Sequence, residues 1–322
     1  MKTRITDLLG IDYPILQGGM FYVSTPELVA AVSNAGGMGI LSSAMYPRIA
    51  DLRAALEKIR ALTDKPIGVN LSFLPDVDQR ETLKAAIKSC ADVGVTAIET
   101  AGVKPDFAEP LIHGAGMVHI YKVPAARYGI SAEKCGVDAV SVVGFECGGH
   151  PGKDEKGTMV LIDEASRVLS VPVIAGGGIV DGRGIAAALA LGADAVVMGT
   201  RFLASEEAPI SNAHKKWMYA AGERSTVIVQ KSVGNMARAA NNGAAQKCLE
   251  MEAQGASFEE LQTVTSGART LKSYRTGDVN MGINPLGQGV SLIREVKSVE
   301  VIMQALIAET QSQIKRLEQI FS

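Results

Sequence analysis

The chain has 322 residues, of which 47% are hydrophobic and 20% charged, and its formal net charge is −2. This is the composition of a globular protein large enough for a barrel and an additional lobe, and without any block of like charge it offers no electrostatic footprint for nucleic acid or an anionic membrane, so small-molecule partners are expected. Cys90, Cys135, Cys147 and Cys248 show no CxxC or Cys/His spacing, which argues against bound metal and suits a reducing compartment.

The first residues, MKTRITDLLGIDYPILQGG, lack the apolar core of a signal peptide, and the apolar stretch over 185–200 is broken by Asp194. A cytoplasmic protein without a membrane span is expected. YPILQGG at 13–19 reads as a first strand, and TPELVAAVSNAGG as the helix after it, with Thr25 to cap, Pro26 at the first turn and Gly36 to stop it. The same alternation continues through GMGILSS (37–43), PIGVNL (66–71), AIET (97–100), MVHIYKV (117–123), AVSVVGF (139–145), PVIAGGG and AVVMGTRF. Helices are expected near 48–61, 78–93, 105–113, 124–135, 162–169 and 181–191. Eight alternations predict an α/β fold, a (β/α)8 TIM barrel, in preference to a doubly wound sheet.

After Phe202 no further strand-length apolar run is read. Helical segments predict a lobe over 215–295, following a barrel of 1–214, and a terminal helix over 296–322. Val299, Ile302, Leu306, Ile314, Leu317 and Phe321 share one face of that helix and are expected to pack it back on the barrel. A homodimer is compatible with the chain, and no motif places its interface.

Active sites of such barrels form at the carboxyl ends of the strands. Those ends carry Gln17 to Met20, Ser42-Ser43, Asn70, Glu99-Thr100, Lys122, Glu146 to His150, Gly177-Gly178 and Gly199-Thr200. They are polar or glycine almost throughout, a pattern that suits a planar ligand across the mouth. The glycine turns after the last two strands predict a phosphate site, since backbone N–H groups favour an anion and glycine lets it come close. Gly287-Gln288-Gly289 offers another such turn. GGGIVDGRG lacks GxGxxG spacing and does not argue for a Rossmann unit.

Taken together, the GGM after strand 1, PIGVNL, the Lys122 strand, GFECGGHPG, VIAGGGIVDGRG and GADAVVMGTRF resemble the nitronate monooxygenase family, formerly the 2-nitropropane dioxygenases. That family also includes NAD(P)H:quinone reductases and a flavin enoyl-acyl-carrier-protein reductase. The resemblance implies FMN at the barrel mouth beneath a helical cover. Position by position it implies Gly18, Gly19 and Met20 against the isoalloxazine, Asn70 and Lys122 at its polar edge, and Gly149 lining the site. It further implies Gly177, Gly178, Gly199 and Thr200 on the phosphate, Gln288 and Gly289 closing over it, and His150 as catalytic base.

Imidazole is the side chain whose ordinary pKa lies near neutral, so His150 suits removal of a nitroalkane proton; the alternative is a capping or surface histidine before Pro151. Lys122 reads as a cation that steadies a reduced flavin, a Schiff-base lysine, or a strand-end lysine reaching solvent. Glu146 reads equally as an orienting group or an acid, Cys147 as packing, and His113, His119 and His214 as structural. Gly18-Gly19 stands where one branch of the family has alanine-proline, and Pro151 where that branch has arginine. In these positions the GGM and ECGGHPG forms resemble the branch that contains the quinone reductases, the alanine-proline and arginine belonging to the monooxygenase branch. The expected function is nitronate oxidation, with NAD(P)H:quinone reduction as the alternative, NADH or NADPH then serving as reductant. Enoyl reduction and a flavin-free lyase or isomerase follow as weaker readings.

Overall fold

The computed structural model describes residues 1–73, 80–104 and 106–322. Eight parallel strands close into a barrel in chain order: β1 (Ile15–Gln17), β2 (Met38–Ser42), β3 (Ile67–Phe73), β4 (Ala97–Gly102), β5 (Val118–Val123), β6 (Ala139–Val143), β7 (Val173–Gly176) and β8 (Ala195–Met198). β1 pairs with β8 through Leu16 and Val197, which closes the ring. Strands buried on both faces read as near-continuous apolar runs, as the sequence has them.

The chain begins with α1 (Arg4–Leu9), a helix that the strand-helix alternation did not foretell. Its Thr3 capping box and left-handed Gly10 fix both ends. Ile5 and Leu9 pack with Leu16, Met38, Ile40, Ile120 and Ile174, so this short helix closes the amino-terminal end of the barrel. The outer ring is α2 (Pro26–Asn34), α3 (Ile49–Leu62), α4 (Arg80–Asp92), α5 (Glu109–Gly114), α6 (Ala126–Glu133), α7 (Thr158–Val168) and α8 (Gly182–Ala190). Residues 78 and 79 of one expected helix, and residue 105 of the next, lie outside the described residues. The last expected strand ends early: after Met198 the chain turns at Gly199 into α9 (Thr200–Leu203).

Beyond the barrel come α10 (Asn212–Tyr219), α11 (Gly243–Ala253), α12 (Phe258–Thr265) and α13 (Gly267–Thr276). The reading that no strand follows Phe202 is corrected: β9 (Thr226–Val229) and β10 (Ala237–Ala240) form an antiparallel pair. The β10 sequence, ARAA, reads as helix by propensity, yet all four residues are buried, and small side chains suit a strand packed this closely. Val229, Ala239, Ala245, Cys248, Leu261 and Ile283 make the lobe's own small core.

The terminal helix, α14 (Val299–Phe321), returns to α8 and α2. Val299, Ile302, Met303, Leu306 and Thr310 are buried, and the Glu309 carboxylate accepts the Gly182 N–H at 2.9 Å. The expectation that the whole apolar face packs on the barrel holds only for this first half. Ile314, Leu317 and Phe321 are exposed, Phe321 at 86%, because α14 runs past the helices that cover it. Among the described residues no helix is long and apolar enough to cross a membrane.

Candidate active site

At the carboxyl ends of the strands, roofed by the lobe, lies a cavity of about 1100 Å³. Gly18, Gly19, Met20, Asn70, Lys122, Gly149, His150, Gly177, Gly178, Gly199, Thr200 and Gly289 all line it. Gln288 does not: its side chain is exposed and its N–H donates to the Glu146 carbonyl at 2.9 Å, so Gly287 lines the wall instead. Gly287 in turn donates to Thr200 Oγ1 at 3.0 Å, tying the lobe to the turn after β8.

The two glycine turns leave backbone donors at the cavity wall. Gly177 and Gly178 have φ of 101° and 73°, in the left-handed region that favours glycine. Among the described residues, the N–H groups of Gly178, Gly199 and Thr200 have no hydrogen-bond acceptor. Backbone donors left unpaired at a cavity wall are costly unless water or a ligand accepts them, and converging donors of this kind suit a phosphate.

Across the cavity the floor is polar and charged. Glu99, on β4, is buried; Lys122 Nζ, from β5, lies 2.7 Å from its Oε2. Asn70 Nδ2, from β3, donates to that same oxygen at 2.6 Å, and Ser72 Oγ donates to Asn70 Oδ1 at 3.0 Å. The strand pairing produces this cluster, with Asn70 opposite Glu99 and Lys122 opposite Ala101. Sequence reading placed Glu99 at a strand end without assigning it a role. The backbone at Gly19 passes directly over Asn70: an added Cβ would lie 2.8 Å from the Asn70 Cβ.

His150 sits on the loop between β6 and α7. The loop is clamped by β10, since Gly149 and Arg238 exchange backbone hydrogen bonds at 3.0 and 2.7 Å. His150 is exposed as a residue, but the atoms packed around its ring disfavour the imidazolium and lower its pKa from the ordinary value, opposed in part by the Asn235 side chain. The shift favours the neutral ring, the form that accepts a proton. Cys147 also lines the cavity, but burial pushes its pKa up to about 11, so it remains a thiol. The Glu146 carboxylate is committed to the start of α7, accepting Thr158 N–H at 2.8 Å and Thr158 Oγ1 at 2.7 Å. That makes it an orienting group, one of the two readings the sequence allowed.

Three non-glycine residues among those described have left-handed φ: Tyr22 (64°), Glu155 (52°) and Gln230 (59°). Tyr22 and Gln230 line the cavity, and Glu155 lies on the His150 loop, paired with Lys231 of the lobe. Backbone strain of this kind concentrates at sites that need a fixed shape. The other histidines are structural: His113 joins Glu109 and Asp138, His119 is buried against Thr100 Oγ1 at 2.8 Å, and His214 links Ser211 to Ser273. Among the described residues no cluster of His, Cys, Asp and Glu is arranged to hold a metal.

Unpaired backbone donors, a buried ion pair and a histidine gather around one barrel mouth, and the fold is that of a (β/α)8-barrel protein with its candidate site at the carboxyl ends of the strands. The family profile described as nitronate monooxygenase matches residues 2–309, and the chain belongs to that family of oxidoreductases. A probable nitronate monooxygenase of Staphylococcus aureus is 31% identical over 308 residues, covering 83% of this chain and 86% of that protein. An octahydro-1H-indene-4-carboxyl-CoA dehydrogenase of Rhodococcus jostii is 37% identical over 241 residues, 75% of this chain; the match spans 66% of that protein's length, just under two thirds. The structure of FabK from Thermotoga maritima superposes with a TM-score of 0.88 at 37% identity, covering 99% of each chain.

Proposed function

We propose that this chain is an FMN-dependent oxidoreductase of the nitronate monooxygenase type, oxidising alkyl nitronates with O2 beside a flavin. The observation that carries the reading is the placing of unpaired N–H donors at Gly178, Gly199 and Thr200, the Lys122 ammonium and the neutral His150 ring around one cavity. FMN fits these residues. Gly178, Gly199 and Thr200 would hold its phosphate, Gly18, Gly19 and Met20 would border its ring, and Asn70 and Lys122 would supply donors for its polar edge. One such set of backbone donors and no Rossmann unit favour FMN over FAD.

When bound, FMN supplies two-electron oxidation and reduction. The chain's own residues bind and orient. His150 accepts the α-proton of a neutral nitroalkane on a ring nitrogen, because the desolvated cavity disfavours its charged form before the substrate arrives. A nitronate, having already lost that proton, needs His150 only for position. The lobe, through Gly287, Gly289 and Gln230, limits water at the mouth.

A second reading, oxidation or reduction of an acyl-CoA-type thioester with NADH or NADPH as redox partner, is favoured by the 37% identity to the carboxyl-CoA dehydrogenase, against 31% to the nitronate monooxygenase. Steady-state assays of the flavin-loaded protein decide between them: propyl nitronate with O2, against NADH or NADPH with benzoquinone or an enoyl-CoA. Nitronate turnover well above the nicotinamide-dependent rates supports the first reading. Rapid nicotinamide-dependent turnover with negligible nitronate oxidation overturns it.

A further inference from the structure

Glu99 is a buried carboxylate that does not line the cavity, yet it holds two of the residues that do. Its side chain is 2% exposed, and both Lys122 Nζ and Asn70 Nδ2 converge on Oε2. Ser72 fixes the Asn70 amide from its other end, so flipping that amide would break two hydrogen bonds. Lys122, at 25% exposure, presents its remaining N–H groups to the cavity. We infer that Glu99 is a positioning residue that sets the net charge beside the flavin site: it aims the donors of Asn70 and Lys122 and offsets the lysine's positive field. The inference rests on the FMN reading above.

The physical reason is that charges in a poorly solvated interior act over several ångströms with little screening. With Glu99 in place, the floor offers oriented donors at nearly zero net charge. Without its charge, Lys122 is an uncompensated cation at the cavity wall and would favour the more negative, reduced form of a bound flavin. Without the Lys122 charge, Glu99 is an uncompensated anion and disfavours that form. A purely structural pair would not give opposite signs.

The experiment equilibrates FMN-loaded wild type and variants anaerobically with a reference dye and reads the ratio of reduced to oxidised flavin from absorbance. Glu99→Gln should raise that ratio by about tenfold or more and Lys122→Met should lower it by a similar factor. The neutral double variant should return to within about threefold of wild type, as should Glu99→Asp, which keeps the charge. Should Glu99→Gln not fold, the double variant and Lys122→Met carry the test, since the former buries no unpaired charge. Shifts of the same sign in both single variants, no shift in either, or a double variant indistinguishable from Lys122→Met would overturn the inference while leaving FMN binding intact. Protein that neither carries nor takes up FMN would instead defeat the functional reading, and this inference with it.

Discussion

His150 and His119 show how one residue type is turned to different ends by its surroundings. His150 faces a cavity, and its lowered pKa keeps it a proton acceptor at neutral pH. With a neutral nitroalkane, kcat/KM should rise with pH through an acidic limb centred below the ordinary histidine value of about 6.5 and then level off. His150→Ala should remove that limb and lower the rate by roughly 10²- to 10⁴-fold, with a smaller loss for pre-formed nitronates. Asn235→Ala, which removes a hydrogen bond that raises the His150 pKa, should move the limb to still lower pH. His119 is fully buried, and desolvation lowers its pKa to about 4. The unfolded chain therefore binds a proton at about pH 6.5 that the native state refuses until about pH 4. Stability should fall across that window as pH drops, by on the order of 3 kcal/mol, and urea titrations of His119→Gln should show a flatter pH dependence. That Lys122 and the Glu146 to His150 loop face the cavity could be read in the sequence, because Lys122 lies near the end of β5 and the loop follows β6. The role of Glu99 could not, because it arises from the register that sets β4 between β3 and β5.

At the scale of elements, the turns after β7 and β8 were readable because a run of glycines at a strand end marks a backbone that must turn sharply or lie close to a ligand. Their two halves are not equivalent. Gly178 has a left-handed φ of 73°, and an added Cβ would lie 3.1 Å from the Glu146 Cβ, whereas Gly199 has a φ of −103° that any residue adopts. Gly178→Val should weaken FMN binding by about tenfold or more with the barrel still folded, and Gly199→Val should do less; titration of apoprotein with FMN, alongside circular dichroism, measures both. In the hairpin, the β-branched TVIV of β9 carries a strand signal that the reading passed over, whereas the alanine-rich ARAA of β10 follows helical propensity and becomes a strand by packing against the lobe core and the Gly149 backbone. In α14 the apolar stripe could be read, but not where its cover ends. Removing residues 311–322 should therefore leave the melting temperature nearly unchanged, while Leu306→Ala, 3% exposed, should cost about 2–5 kcal/mol.

For the molecule as a whole, eight strand-helix alternations were enough to read the barrel, since few other folds need so many parallel strands. The roof over its mouth was less legible, because it depends on contacts between distant segments: β10 on the His150 loop, Gly287 on Thr200, and Lys231 on Glu155. These contacts roof the barrel mouth, and under the proposed function the cavity holds one FMN. The most direct measurement is the absorbance of the purified or FMN-reconstituted protein, with chromatographic identification of the flavin released on heating. Flavin absorbance and about one FMN per chain are expected. A protein that stays colourless after incubation with FMN, or that releases stoichiometric FAD, would contradict that claim.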